Sequence, residues 1–303
     1  MASASPFGPH SRLAADKPAF TYGTAWKKDQ TRSLVKEALK QGFRRIDTAA
    51  QPKHYQEPLV GEALREAYTE GLVSRGDVYV QTKYTTPAGQ DLNSMPYDAN
   101  APLESQIHTS VASSLKNLRT QQGSQEGTYL DCLLLHSPLP TIEQTLEAWR
   151  LLETYVPHKI KALGISNVTL PVVREIYNLC SIKPSVVQNR FYAQTRYDGP
   201  LRAFCHENGI IYQSFWTLTG NPKLLKSKPV QELAQAAEVS VPTALYALVI
   251  DLGVEVLNGT TSAEHMREDI DGIQRVRDWA IRNPSGWAIL FREIARLIKP
   301  FAS

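Results

Sequence analysis

Apolar positions along the chain fall into two rhythms that alternate from one end to the other. Short runs with period-two alternation, or with unbroken apolar character, read as strands. Longer runs with apolar residues three and four apart read as helices. On this pattern strands are predicted at 20–24, 43–46, 77–84, 129–135, 159–165, 185–188, 210–215 and 254–257. Helices are predicted at 31–40, 57–68, 102–118, 141–154, 171–179, 201–208, 230–237 and 242–250. A last helical region follows Ser262, a residue type suited to capping it. Leu34, Val35 and Leu39 make the apolar stripe of the first helix, and Gly209 fits a helix-ending cap before the seventh strand.

Eight strand–helix units of this length predict an α/β protein, a (β/α)8 TIM barrel read as a single domain. Residues 1–19, rich in Ser, Ala and Pro, are expected to be a flexible tail. Residues 20–303 form the expected barrel, ending in a C-terminal helical segment in which Trp287, Ile289, Leu290 and Phe291 fit either helix core or a flap. The runner-up, a doubly wound sheet, lacks a G-x-G-x-x-G turn for a dinucleotide. Two long loops, 85–101 and 217–228, leave the C-terminal ends of their strands and are candidate pocket walls.

Composition narrows the function classes. The formal net charge of +3 gives no reason to expect nucleic acid or an anionic membrane surface as partner. No apolar run reaches membrane-spanning length, and the first 19 residues lack the apolar core of a signal peptide, so a cytoplasmic location is expected. Cys132, Cys180 and Cys205 are an odd, widely spaced set, which argues against a disulfide framework or a zinc site; no metal is expected. Oligomeric state is not legible.

Polar residues gather at predicted strand ends. Asp47 follows the second strand, with Tyr55 on the loop beyond it. Lys83 closes the third, and His136 follows the fourth. Each has an ordinary reading alone: a turn aspartate, a packing aromatic, a solvated lysine, a loop histidine. In a barrel, however, successive strand ends face one mouth. There an ammonium favours a phenolate, a carboxylate holds the ammonium, and an imidazole polarises a carbonyl oxygen. That set suits protonation of an oxygen as hydride reaches carbon.

The fragments Gly42 to Ala49 (G-x-R-x-x-D-T-A) and Val60 to Leu64 (V-G-x-A-L) resemble the signature of the aldo-keto reductases. So, in the same order, do Gly23-Thr24-Ala25-Trp26, Thr82-Lys83, Leu135-His136-Ser137-Pro138, Gly164-Ile165-Ser166-Asn167 and Pro184 to Gln188. The resemblance spans about residues 20 to 270 and implies a barrel that binds NADP(H), with NAD(H) as the alternative, and reduces a small-molecule carbonyl compound. It implies a catalytic tetrad of Asp47, Tyr55, Lys83 and His136, with Tyr55 as general acid. It also implies cofactor contacts from Gly23, Thr24, Ser166, Asn167, Gln188, Phe215, Trp216, Thr217 and Leu218. At the adenosine end the matching positions are Gly259, Thr260, His265, Glu268 and Asp269, and Trp26, Tyr84 and Ser137 fall at the substrate pocket.

Three departures stand out. The family tyrosine lies five residues after the aspartate, where this chain has Pro52; Tyr55 is eight residues after, beyond the insertion Gln51-Pro52-Lys53, and His54 is the rival acid. Ser137 stands where Trp is common. Gly259-Thr260 and His265 replace a Lys-Ser pair and an Arg, removing charge-assisted contacts to a 2′-phosphate. Two further functions therefore stay open: non-redox proton chemistry (a dehydratase, isomerase or cyclase) and a non-enzymatic regulatory subunit on the reductase fold.

Overall fold

In the computed structural model, residues 6–7, 11–13 and 20–298 are described. Eight parallel strands follow one another in chain order around a closed barrel. They are β1 (Phe20–Gly23), β2 (Arg45–Asp47), β3 (Tyr79–Tyr84), β4 (Cys132–Leu135), β5 (Leu163–Ser166), β6 (Val186–Arg190), β7 (Ile211–Phe215) and β8 (Glu255–Asn258). The connecting helices are α1 (Thr31–Lys40), α2 (Glu57–Thr69), α3 (Leu103–Asn117), α4 (Ile142–Glu153), α5 (Leu170–Leu179), α6 (Gly199–Glu207), α7 (Pro222–Leu225), α8 (Lys228–Ala236) and α9 (Val241–Asp251). Two further helices, α10 (Ala263–Arg282) and α11 (Pro284–Ile298), follow the last strand. Every strand and helix predicted from the apolar rhythm is present. The short α7 lies inside the long loop after β7, where its four residues are too few for a periodic signal.

By contacts the chain divides into two compact units, Thr21–Gln188 and Met1–Phe20 with Asn189–Ser303. In the first unit the register places Gly23 beside Asp47, Asp47 beside Gln81, and Ser166 beside Gln188. The signature residues have plain structural reasons here. Gly42 takes φ 102°, open to glycine, as the chain leaves α1, and Arg44 Nη1 donates to the Leu39 and Phe43 carbonyls at 2.8 Å each. A Cβ on Gly61 would overlap the Asn117 carbonyl oxygen, so glycine lets α2 and α3 meet closely. Glu57, at the start of α2, is buried and accepts from Thr82 (2.5 Å), Ser114 (3.0 Å) and Asn117 (3.0 Å), which ties α2 to β3 and α3.

In the second unit, α11 packs as core. Trp287 and Leu290 are buried, and the Trp287 indole N–H donates to Asp251 Oδ2 at 3.1 Å, whereas Ile289 faces solvent. Part of the expected N-terminal tail is pinned to the same unit. Leu13 is buried, the Arg12 N–H donates to the Ile250 carbonyl, Arg12 pairs with Glu255 at 3.4 Å, and Phe7 meets the Trp287 ring edge-on at 5.9 Å. Residues 1–5, 8–10 and 14–19 of the tail, and 299–303 at the far end, lie outside the described residues. No single helix among the described residues is long and apolar enough to cross a membrane.

Candidate active site

Alternation along β3 puts Gln81 and Lys83 on one face and Thr82 on the other. Both residues of that face reach Asp47 at the end of β2. Lys83 Nζ donates to Asp47 Oδ1 at 2.7 Å and Oδ2 at 2.6 Å, and to the Thr48 carbonyl at 2.9 Å. Gln81 Nε2 donates to Asp47 Oδ1 at 2.6 Å, and Gln188 Nε2 does so at 3.0 Å. Asp47 and Lys83 are each 1% exposed. Four hydrogen bonds to one carboxylate make this a built ion pair.

The insertion resolves into a compact turn. The N–H groups of His54 and Tyr55 both donate to the Gln51 carbonyl, at 3.1 and 2.9 Å, and the buried Gln51 side chain donates to the Gly89 carbonyl at 2.5 Å. Beyond the turn, Lys83 Nζ lies 5.1 Å from the centre of the Tyr55 ring, and His136 meets that ring edge-on at 6.0 Å. The structure thus brings Asp47, Tyr55, Lys83 and His136 together. His54 turns instead to Trp26, with ring centres 3.8 Å apart.

Burial raises the Tyr55 pKa, opposed by the Lys83 ammonium and reinforced by Asp47, so the phenol holds its proton at neutral pH. Burial alone would depress Lys83; Asp47 and the Tyr55 oxygen outweigh it, and the net direction is upward. His136 is pushed down to about 3 by burial, with Lys83 and His54 adding to the effect, so it is neutral. Its Nδ1 lies 2.7 Å from the Thr85 hydroxyl. In the tautomer where Thr85 donates, the imidazole proton sits on Nε2. Thr85 and Gln81 carry no motif of their own; only their places, two residues either side of Lys83 on the same strand line, could have singled them out.

At the ends of β5 and β6, Ser166 Oγ donates to the Gln188 carbonyl at 2.7 Å. Asn167 Nδ2 donates to the His136 carbonyl at 2.9 Å and to Ser166 Oγ at 3.2 Å. Asn167 is exposed and takes φ 52°. Gly23 pairs beside Asp47, and Thr24 donates from both its N–H and its hydroxyl to the Asp47 carbonyl. Trp26 is 67% exposed, and Ser137 is half-buried. Tyr84 is buried, its hydroxyl donating to Gln106 at 3.1 Å and its ring stacked on Tyr97 at 5.6 Å.

In the other unit, Phe215 and Leu218 are half-buried, and Trp216 is exposed with φ 60°. The Arg190 guanidinium lies 4.7 Å over the Trp216 ring and 5.5 Å over Phe215. Thr217 is buried against the Ser214 hydroxyl at 2.9 Å. Gly259 and His265 are exposed, and Thr260 and Glu268 are half-buried. Asp269 points inward: its two carboxylate oxygens accept from Thr243 (2.7 Å) and Asn258 (2.8 Å), so it fastens α10 to α9 and β8.

Comparison with known proteins gives a family-wide match: the model described as "Aldo/keto reductase family" matches residues 19–273. The chain is 30% identical over 268 residues to an NAD/NADP-dependent indole-3-acetaldehyde reductase of Schizosaccharomyces pombe, covering 83% of this chain and 84% of that protein. It is 28% identical over 301 residues to an NAD(P)H-dependent 6′-deoxychalcone synthase of Glycine max, covering 90% and 86%. Among solved structures, an aldo-keto reductase of the silkworm Bombyx mori complexed with NADPH superposes with a TM-score of 0.70 at 19% identity, covering 93% of this chain and 86% of that one, a likeness of fold. With the signature running through β2, α2 and the strand ends just described, the chain belongs to the aldo/keto reductase family.

Proposed function

We propose that the protein is an NAD(P)H-dependent reductase of aldehydes or ketones in which Tyr55 is the general acid. The observation that carries this reading is the Tyr55 ring beside the Lys83 ammonium and the His136 imidazole, despite the preceding insertion. The donor set at the ends of β5 and β6 fits a nicotinamide carboxamide. Asn167 is exposed and spends its amide protons on the protein, its side-chain oxygen has no hydrogen-bond partner among the described residues, and Gln188 beside it holds a second amide. Ser166, Asn167 and Gln188 would hold that end of the cofactor. The cofactor, when bound, supplies hydride to the carbonyl carbon.

The chain's own residues manage the proton. Tyr55 keeps it until negative charge develops on the carbonyl oxygen. Lys83 then sits where it stabilises the phenolate left behind, and the four hydrogen bonds on Asp47 keep Lys83 from relaxing away. His136, neutral, donates from Nε2 without carrying a charge that would compete with Lys83. Gln188 links the amide cluster to Asp47, so the group that orients the cofactor and the group that fixes Lys83 share one hydrogen-bond network.

The test is Tyr55→Phe, followed by NADPH oxidation with an aldehyde panel and by the fluorescence-titrated NADPH dissociation constant. General acid catalysis contributes roughly 10²–10⁴-fold, so turnover should fall by at least about 100-fold while NADPH affinity holds. Full turnover in the variant would sink the assignment.

A further inference from the structure

We propose that Thr85 is a positioning residue that fixes the tautomer of His136, so that the imidazole presents an N–H, and no lone pair, to the oxygen being reduced. The inference rests on the reductase reading for that oxygen, but not for the tautomer. Thr85 lies two residues beyond Lys83 and is 4% exposed. Its Oγ1 is 2.7 Å from His136 Nδ1, and either atom can donate across that distance. Burial decides the direction. Nδ1 is the one hydrogen-bond partner of this hydroxyl among the described residues. Were Nδ1 to donate, the buried hydroxyl proton would be left without an acceptor. With the hydroxyl donating, the Nδ1 lone pair is taken and the neutral ring carries its proton on Nε2. Nε2 itself has no hydrogen-bond partner among the described residues.

The hydroxyl is aimed by its surroundings. A Cβ on Gly89 would come within 2.7 Å of the Thr85 methyl, so the methyl branch is packed against the glycine and the hydroxyl branch is turned to His136. The Thr85 carbonyl accepts from the Tyr97 hydroxyl and from Gln90 Nε2 at 3.4 Å. The same Gln90 nitrogen donates to the Ala50 carbonyl at 2.8 Å, and the Tyr97 ring stacks on Tyr84. His136 is pinned as well: its backbone N–H donates to the Tyr84 carbonyl at 2.9 Å, and its carbonyl accepts from Asn167 Nδ2 at 2.9 Å. The loop after β3 is thus built to hold one hydroxyl against one imidazole nitrogen. With Nδ1 occupied and Nε2 protonated, His136 is a donor only. It can polarise an acceptor oxygen beside Tyr55, and it offers no lone pair for abstracting a proton. That favours carbonyl reduction over base chemistry as the work of this histidine.

The experiment is NMR of the histidine ring nitrogens in the isotope-labelled protein at neutral pH, with His136 assigned by the signals lost in His136→Gln. Wild type should show a protonated Nε2 and an unprotonated, hydrogen-bonded Nδ1. Thr85→Val keeps the shape and removes the hydroxyl; it should move both nitrogens toward the averaged shifts of a tautomer mixture. Thr85→Ser should restore the wild-type pattern. A protonated Nδ1 in wild type, an unmixed tautomer in Thr85→Val, or no restoration by Ser would each overturn the proposal, and the first needs no variant to fold. Kinetics with NADPH and an aldehyde give the second readout. One neutral hydrogen bond is worth about tenfold in an equilibrium. Thr85→Val should therefore lose about tenfold in kcat, with the NADPH dissociation constant unchanged and Thr85→Ser within about threefold of wild type. Full kcat in Thr85→Val would overturn the role of Thr85 in the reaction. If wild type reduces no aldehyde, the reductase reading falls while the spectra still decide the tautomer.

Discussion

Asp47→Asn is the most demanding test of the buried pair. The substitution is nearly isosteric, so what it removes is charge and one acceptor. In the wild type one carboxylate answers two ammonium bonds, the Gln81 amide and the Gln188 amide. An asparagine offers a single oxygen and turns an NH2 toward N–H groups that cannot accept from it. Lys83 would keep the Thr48 carbonyl and at most one amide oxygen, as a buried ammonium without a counter-charge. Breaking a buried pair from one side costs about 3–5 kcal/mol. For a chain of this size that is on the order of 10 °C in Tm, at about 2–4 °C per kcal/mol. Calorimetric scans of Asp47→Asn, Lys83→Met and the double variant Asp47→Asn/Lys83→Met give the coupling. The double variant should lose less than the two singles together, because neither charge is left alone. Additivity within about 0.5 kcal/mol would show that the pair is not energetically coupled and would refute the reasoning.

Two further outcomes concern protons. Because His136 is held near 3 and Tyr55 is raised, kcat/KM for carbonyl reduction should stay flat from roughly pH 5 to 9, an interval that spans the ordinary imidazole value of about 6.5. A step near the ordinary histidine value that disappears on substituting His136 would contradict this. Asp251, buried behind Trp287 with Oδ1 unpartnered among the described residues, is raised from 3.8 to about 6 by burial, against the lowering effect of Ser11 and Trp287. A carboxyl raised on folding stabilises the fold below its unfolded value and loses that contribution as pH rises through the folded one. The span of 2.2 units (6 minus 3.8) corresponds to about 3 kcal/mol at most. Asp251→Asn should therefore raise Tm by several degrees at pH 7.5 and by much less at pH 4; an equal Tm shift at both would count against it.

The fold was legible because its elements are amphipathic at regular spacing, and because parallel strands buried on both faces write unbroken apolar runs such as Cys132–Leu135. What periodicity could not give was α7, too short for a period, and the pinned part of the N-terminal segment. There the anchoring rests on single contacts, Leu13 in the core and Arg12 to Glu255, that no repeat announces. Asp269 shows the same limit from the other side. Its place in the chain matched a cofactor contact, but a carboxylate among Thr243 and Asn258 is satisfied before any ligand arrives.

At the site, residue type was legible and direction was not. Asp47 and Lys83 sit at strand ends, where alternation fixes which way a side chain points; Tyr55 and His54 sit on a turn, where one residue of slip exchanges their roles. The sequence left both as acids. The deciding element is the Gln51 carbonyl, which accepts two successive N–H groups and so fixes the phase of the turn. Gln51 gains that authority from its side chain, buried and bound to Gly89 on the loop after β3. An insertion there is compatible with the tetrad because, of its three residues Gln51, Pro52 and Lys53, the first is buried and its carbonyl closes the turn while the other two are exposed. The spacing from Asp47 could lengthen because the position of Tyr55 is set by Gln51 and by the ring contacts to Lys83 and His136, not by the count of residues between them.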